Sequence, residues 1–150
     1  MPVDTKTVLN IVLALVVGIV ISFVATPAAK WFAQKVGAID VPKDERRVHN
    51  HPIPRLGGLA IFLGFILSVV LFAEIDRAVQ GILLGSVIVV VSGVIDDIVP
   101  LRAWQKLVFQ VLAAAVAVYH GVVIEVLSNP FFLTRPEYIV LGAFSIPITI

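Results

Sequence analysis

An all-α integral membrane protein is the fold class predicted by three features of this sequence: a polytopic bundle of four transmembrane helices with the start of a fifth. First, 59% of the 150 residues are hydrophobic and only 14% are charged, where a soluble domain carries about 25% charged residues. Second, the apolar residues fall into runs close to the roughly 20 residues that a helix needs to cross the hydrocarbon. Third, Lys and Arg are unequally shared among the loops joining those runs. The net charge of +1 offers no basic face to a nucleic acid. The lack of cysteine excludes disulfides and thiolate metal sites.

The first run, Val8–Ala29, is interrupted only by Asn10, Ser22, Thr26 and Pro27 among its apolar residues. It is too long for the apolar core of a signal peptide and lacks a basic leader and a clear cleavage site, so it reads as a retained transmembrane helix. Leu56–Ala73 is the second span and Ala78–Ile95 the third. Both are slightly short, which tilted neighbours or snorkelling flanks absorb. Glu74-Ile75-Asp76-Arg77 between them reads as a tight polar hairpin. The fourth span runs from Trp104 to about Tyr119, with Lys106 and Gln110 at i and i+4 on one face of its start.

A fifth apolar run begins near Ile139 and is still apolar at Ile150. A helix stopping in mid-membrane leaves carbonyls without partners. Residues 1–150 are therefore expected to form a single transmembrane domain that is the N-terminal fragment of a larger protein. The alternative is a complete four-helix protein with a short apolar tail. Between the fourth and fifth runs, Val122–Leu127 and Tyr138–Phe144 flank the turn-rich SNPFFLTRPE, which predicts a small β-hairpin on the outer membrane surface.

Orientation follows from the basic residues. Lys30, Lys35, Lys43, Arg46, Arg47 and Arg55 lie in the first loop region, and Arg102 and Lys106 follow the third span; only Lys6, Arg77 and Arg135 lie on the other side. The first loop and the carboxylate pair Asp96-Asp97 should thus face the cytoplasm, with the N-terminus outside. Trp31, Phe32 and Trp104 read as interface anchors, and His120 and Glu125 as surface residues on the opposite side.

Asp40, Arg46, Arg47, His49, His51, Arg55, Asp96, Asp97, Arg102 and Lys106 are thereby placed at one interface. Such a mixture suits a phosphorylated, metal-bound substrate. Carboxylates hold Mg²⁺ with waters and phosphates completing the shell, and Arg takes phosphate in bidentate fashion. Gly57-Gly58 lets backbone approach a ligand, and Pro52 and Pro54 keep their neighbours extended. Two adjacent carboxylates repel unless a cation sits between them. Each feature has a plainer reading. The pair can simply mark the water boundary, the basic loop can be a topology determinant, the histidines can be solvated, and Lys106 can snorkel.

The order of the motifs is more specific than any of them alone. GAIDVPKDERRVHNHPIPRLGGLAIF after the first span, then GVIDDIVPLRAWQKLVFQVLAA after a helical hairpin, closely resembles the polyprenyl-phosphate N-acetylhexosamine-1-phosphate transferases, over about Val8 to Ile150. The R-x-H-x-x-P-x-P-R-x-G-G pattern from Arg47 to Gly58 is most similar to the GlcNAc-1-phosphate branch. The resemblance implies an enzyme of about ten helices with a cytoplasmic active site in the inner (plasma) membrane. It would transfer a sugar-1-phosphate from a UDP-N-acetylhexosamine to undecaprenyl phosphate, releasing UMP, in cell-wall, teichoic acid or lipopolysaccharide synthesis. It further implies Mg²⁺, replaceable by Mn²⁺, and allows a homodimer. Asp96 and Asp97 match the family's aspartate pair, in catalysis and as metal ligands, and Lys106 its phosphate-contacting lysine. Asp40, Arg47, His49, Pro54, Arg55, Gly57 and Gly58 match the substrate-binding loop. The main metal ligands of the family are expected beyond Ile150, so the 150-residue chain is expected to be inactive alone. Two other classes stand beside this: a small protein binding or conducting divalent cations, and a structural membrane subunit.

Overall fold

The computed structural model describes residues 4–40, 53–128 and 138–150. The chain folds as two compact units, Met1–Glu74 with Val90–Arg102, and Ile75–Val89 with Ala103–Ile150. Helix α3 contributes to both.

In the first unit, α1 runs from Thr5 to Val36, about 48 Å at 1.5 Å per residue. It is longer than its apolar run suggests because no residue stops it before Gly37. Lys30 and Lys35 therefore sit on the helix and not in the following loop. Pro27 removes one N–H from the ladder, and the hydroxyls of Ser22 and Thr26 donate to the carbonyls of Gly18 and Ser22 one turn back, each at 2.7 Å. Gly37 ends the helix in the left-handed region, φ 77°, which costs a residue without Cβ little. The Ala38 N–H closes the end by donating to the Ala33 carbonyl at 2.9 Å.

Helix α2, Gly57–Phe72, packs along α1. A side chain at Gly64 would collide with the Ser22 hydroxyl and the Gly18 carbonyl, so these backbones meet as closely as small residues permit. Two short strands, β1 (Ile39–Asp40) and β2 (Ile53–Pro54), pair antiparallel with Ile39 opposite Pro54 and Asp40 opposite Ile53. Ala33, Ala38 and Leu56 form a buried cluster, with Val36 and Val94 packed against it.

Helix α3 spans Arg77–Ile98, three residues further than its apolar run, and so carries both aspartates. Pro100 cannot continue a helix and disfavours helical backbone in the residue before it. In the second unit Asp76 caps α3 by accepting the Val79 N–H at 2.7 Å. The early part of α3 meets α4, Ala103–Tyr119, through Gly85 against the Ala113 carbonyl and Gly81 against His120. His120 is therefore half-buried and not a simple surface residue; its Nδ1 lies 2.8 Å from the Val116 carbonyl, which can only accept, so that nitrogen carries the proton. Arg77 donates to the Tyr119 carbonyl at 3.1 Å and lies over its ring.

Strands β3 (Val126–Ser128) and β4 (Tyr138–Val140) pair antiparallel, Leu127 opposite Ile139. They are shorter than the segments that predict them. Leu141 adds a rung to Glu125, and the Thr149 hydroxyl accepts the Ile124 N–H at 2.9 Å. The fifth apolar run opens as a 3-10 turn, Gly142–Phe144, then α5, Ser145–Thr149.

Among the described residues the buried hydrophobics are five alanines and Leu56, whereas Phe23 is 80% exposed and Val24 68%. Soluble monomers do not leave such continuous apolar surface in water; lipid is its solvent. Helices α1 and α3 are long and apolar enough to cross a membrane, and α2 and α4 are apolar but shorter.

Candidate functional site

The site begins with the cluster in the first unit. Leu56 is 2% exposed and touches the end of α1 through Ala33 and Ala38. The Arg55 N–H donates to the Ala38 carbonyl at 3.0 Å, and the β1–β2 ladder continues from there to Asp40 and Ile53. Asp40 and Ile53 are thereby held side by side. Val94 of α3 packs on the same cluster. Asp97 lies three residues beyond Val94, about 4.5 Å further along the axis. One apolar contact thus ties the base of the Pro/Gly-rich loop to the acidic end of α3.

The two aspartates are not equivalent. Both are half-buried in the last turn of α3, and consecutive helical residues point about 100° apart. An Asp96 Oδ1 accepts the Leu101 N–H at 2.9 Å, closing the turn through Val99 and Pro100 that leads towards α4. Hydrogen bonds to a carboxylate are charge-assisted and hold geometry well. Asp97 makes no such turn contact among the described residues.

The structure brings together, in one unit, the backbone of Asp40, then Pro54, Arg55, Gly57, Gly58, Asp96 and Asp97. Gly57 and Gly58 form the first turn of α2, and a Cβ at either would meet nothing within 4 Å. Their N–H groups belong to a helix start, where the unpaired donors favour anions. Lys106 is exposed in the first turns of α4 and belongs to the second unit. Arg47 and His49, with Arg46 and His51, lie outside the described residues, as does the side chain of Asp40.

No group of three or more His, Cys, Asp or Glu side chains gathers among the described residues to hold a metal. That does not disqualify Mg²⁺, which is commonly held by one or two carboxylates with waters and substrate phosphates. The Asp96-Asp97 end of α3 fits the protein's share of such a shell, and no more than that.

Reading residues by chemistry overlooks Leu56, Ala33, Ala38 and Val94, which position the polar groups. Leu56 looks like the first residue of a span. Its place between Arg55 and the glycine pair was the available signal, since an apolar residue inside a polar motif must have something to pack on. The cap role of Asp96 was signalled by Pro100, which forces the helix to end just after the pair.

A helical membrane protein whose acidic helix end shares a core with a proline- and glycine-rich loop is the class this structure defines. The family model described as Glycosyl transferase family 4 matches residues 79–150. The chain is 34% identical over 146 residues to a Bacillus subtilis protein named "Probable undecaprenyl-phosphate N-acetylglucosaminyl 1-phosphate transferase", covering 97% of this chain and 40% of that one. It is 36% identical over 120 residues to a decaprenyl-phosphate N-acetylglucosaminephosphotransferase of Mycobacterium tuberculosis, covering 74% of this chain and 30% of that one. The Mycobacterium leprae protein of the same name is 34% identical over 120 residues, with the same coverage. No solved structure matches. The chain belongs to glycosyl transferase family 4. It spans less than half the length of the curated relatives it matches.

Proposed function

We propose that this chain forms part of a polyprenyl-phosphate N-acetylglucosamine-1-phosphate transferase working at the cytoplasmic face of the membrane, with α1 to α4 as four spans and the β3–β4 ribbon on the outer face. The acceptor would be undecaprenyl phosphate or a near relative, and the donor a UDP-N-acetylhexosamine. The supporting observation is the packing of Val94 on Ala33, Ala38 and Leu56, which joins the loop base and the carboxylate pair into one polar end. The names of the relatives support the sugar and the lipid class.

In this reaction an oxygen of the lipid phosphate attacks the sugar-bearing phosphorus of the donor. The bond from that phosphorus to the bridging oxygen breaks, and UMP departs with the electron pair. The work is positioning and charge neutralisation. Asp97 faces the diphosphate and Asp96 sets its direction by holding the turn at Leu101. Arg55, the N–H groups of Gly57 and Gly58, Lys106, and Arg47 and His49 from the loop take phosphate charge, with Asp40 and Pro54 shaping its base. A bound Mg²⁺ would supply further neutralisation of the phosphates and the departing UMP, held on the protein's side by Asp97 and Asp96. A lipid tail keeps the acceptor phosphate at the membrane surface, so helix ends are where both substrates meet.

Residues 1–150 contain no cysteine, which makes a direct test simple. Single cysteines replacing Asp97 and Arg47 should both react with a membrane-impermeant maleimide from the cytoplasmic side. Reaction from opposite sides would leave no shared pocket and end this reading.

A further inference from the structure

Helix α1 is long and apolar enough to cross a bilayer. At about 48 Å it exceeds the roughly 30 Å of hydrocarbon. Its apolar run stops at Ala29, so with that run in hydrocarbon residues 30–36 stand in the headgroup layer. This end of the helix has two sides. On one, Ala29 and Ala33 are buried and Val36 packs on the Leu56 cluster. On the other, Lys30, Trp31, Gln34 and Lys35 are all exposed. At three- and four-residue spacing this outward side continues down the helix through Pro27, Val24 and Val20, which are exposed as well. From Val20 to Lys30 is about 15 Å, the hydrocarbon depth of one leaflet.

A lysine at the end of a membrane helix ordinarily extends its ammonium away from hydrocarbon. Lys35 does the reverse. Its Nζ lies over the Trp31 ring, 5.0 Å from the centroid, within cation–π range. That ring belongs to a residue one turn nearer the bilayer, so the ammonium is drawn back to the level of Trp31 and Lys30. Tryptophan rings settle among lipid headgroups. Two cations are thereby held at headgroup height. Helix α1 contains no acidic residue, and neither lysine has an ion pair among the described residues. Two cations without a protein counter-charge, above an apolar wall of one leaflet's depth, match a lipid whose headgroup is negative. A free anion leaves the wall unused, and a zwitterionic headgroup brings a cation of its own against the lysines.

We propose that the outward side of the α1 end binds an anionic phospholipid. Its phosphate lies between Lys30 and Lys35, its glycerol region against Trp31, and an acyl chain along Pro27, Val24 and Val20. Gln34, one turn beyond Lys30, adds an amide donor. The bound headgroup fixes the height of the helix end whose other side, through Ala33, carries the Leu56 cluster.

The chain has two tryptophans, so Trp104→Phe leaves Trp31 as the one indole. In phosphatidylcholine nanodiscs, Trp31 fluorescence is quenched in turn by phosphatidylglycerol and by phosphatidylcholine, each brominated near the glycerol. The ratio between the two lipids is read, which cancels changes in the emission of Trp31 itself. Phosphatidylglycerol is expected to bind beside Trp31 about tenfold more tightly than phosphatidylcholine, a ratio equal to about 1.4 kcal/mol and within what two lysines supply at an anionic surface. Lys30→Gln and Lys35→Gln should each lower the ratio severalfold and together bring it close to one. Lys6→Gln, at the other end of α1, should leave it unchanged, and unaltered helical circular dichroism shows that each variant folds. A ratio close to one in the parent chain, indifference to the double substitution, or an equal fall with Lys6→Gln would each overturn the proposal. So would loss of the preference to inorganic phosphate at constant ionic strength, which would make the ligand a free anion. Absence of quenching by either lipid would overturn it too, since another helix would then cover this side.

Discussion

At the residue scale, Asp96 and Asp97 share their chemistry, but among the described residues Asp96 is the one that holds the backbone of the turn that follows. It accepts the Leu101 N–H at 2.9 Å, a bond that an amide oxygen at this position also accepts. Asp96→Asn keeps that acceptor and should leave thermal stability within about 0.5 kcal/mol, whereas Asp96→Ala should cost about 1–2 kcal/mol by stranding the N–H. Thermal unfolding in detergent reads the difference, and equal losses from both variants would refute the assignment. Leu56 makes a complementary case. It is the largest fully buried side chain among the described residues, and Leu56→Ala should destabilise the first unit by about 2–3 kcal/mol, the low end for a buried leucine because the cluster is small. The same variant should loosen the loop base from α3 and weaken phosphate binding without altering a polar group.

At the element scale, the membrane helices associate through close approach of small residues. Lipid is as apolar as leucine, so burial of apolar area does not drive helices together; packing does. Of the glycines where α1 and α2 meet, Gly64 leaves the least room for a side chain, against Ser22 and Gly18. Gly64→Val should force the helices apart at a cost of about 1–3 kcal/mol, read as a lowered unfolding midpoint and as loss of disulfide formation between cysteines placed at Gly18 and Ser68, where a Cβ on Gly18 would stand 3.8 Å from that of Ser68. Retention of both would mean that the pair is held elsewhere. In the second unit the cap of α3 is local: Asp76→Ala should cost about 1 kcal/mol, and chemical unfolding would measure it.

At the scale of the whole molecule, the chain spans 40% of the length of its Bacillus subtilis relative, and the described residues supply one acidic pair but no metal cage. The purified chain with Mg²⁺, UDP-GlcNAc and undecaprenyl phosphate should therefore release no UMP, while retaining lipid phosphate that Asp97→Asn weakens. Steady UMP formation would show that these residues suffice for chemistry.

What local sequence determined by itself was the family and the apolar, helical class of the protein. Apolar runs state where the chain is stable in lipid because that preference belongs to each residue separately, and Gly37, Pro100 and Asp76 end or start helices through their own backbone chemistry. The motif from Arg47 to Gly58 and the Asp96-Asp97 pair stand out for the same reason, as polar groups beside hydrocarbon, and their roles belong to the function proposed above. Only the tertiary structure decided that Leu56 and Val94 meet Ala33 and Ala38, and that Gly64 seats on Ser22. A transmembrane helix is apolar on every side, so its sequence carries no periodic mark of which face meets protein and which meets lipid. That choice is made by the fit between side chains far apart in the chain, and shape of that kind exists only once both surfaces are built.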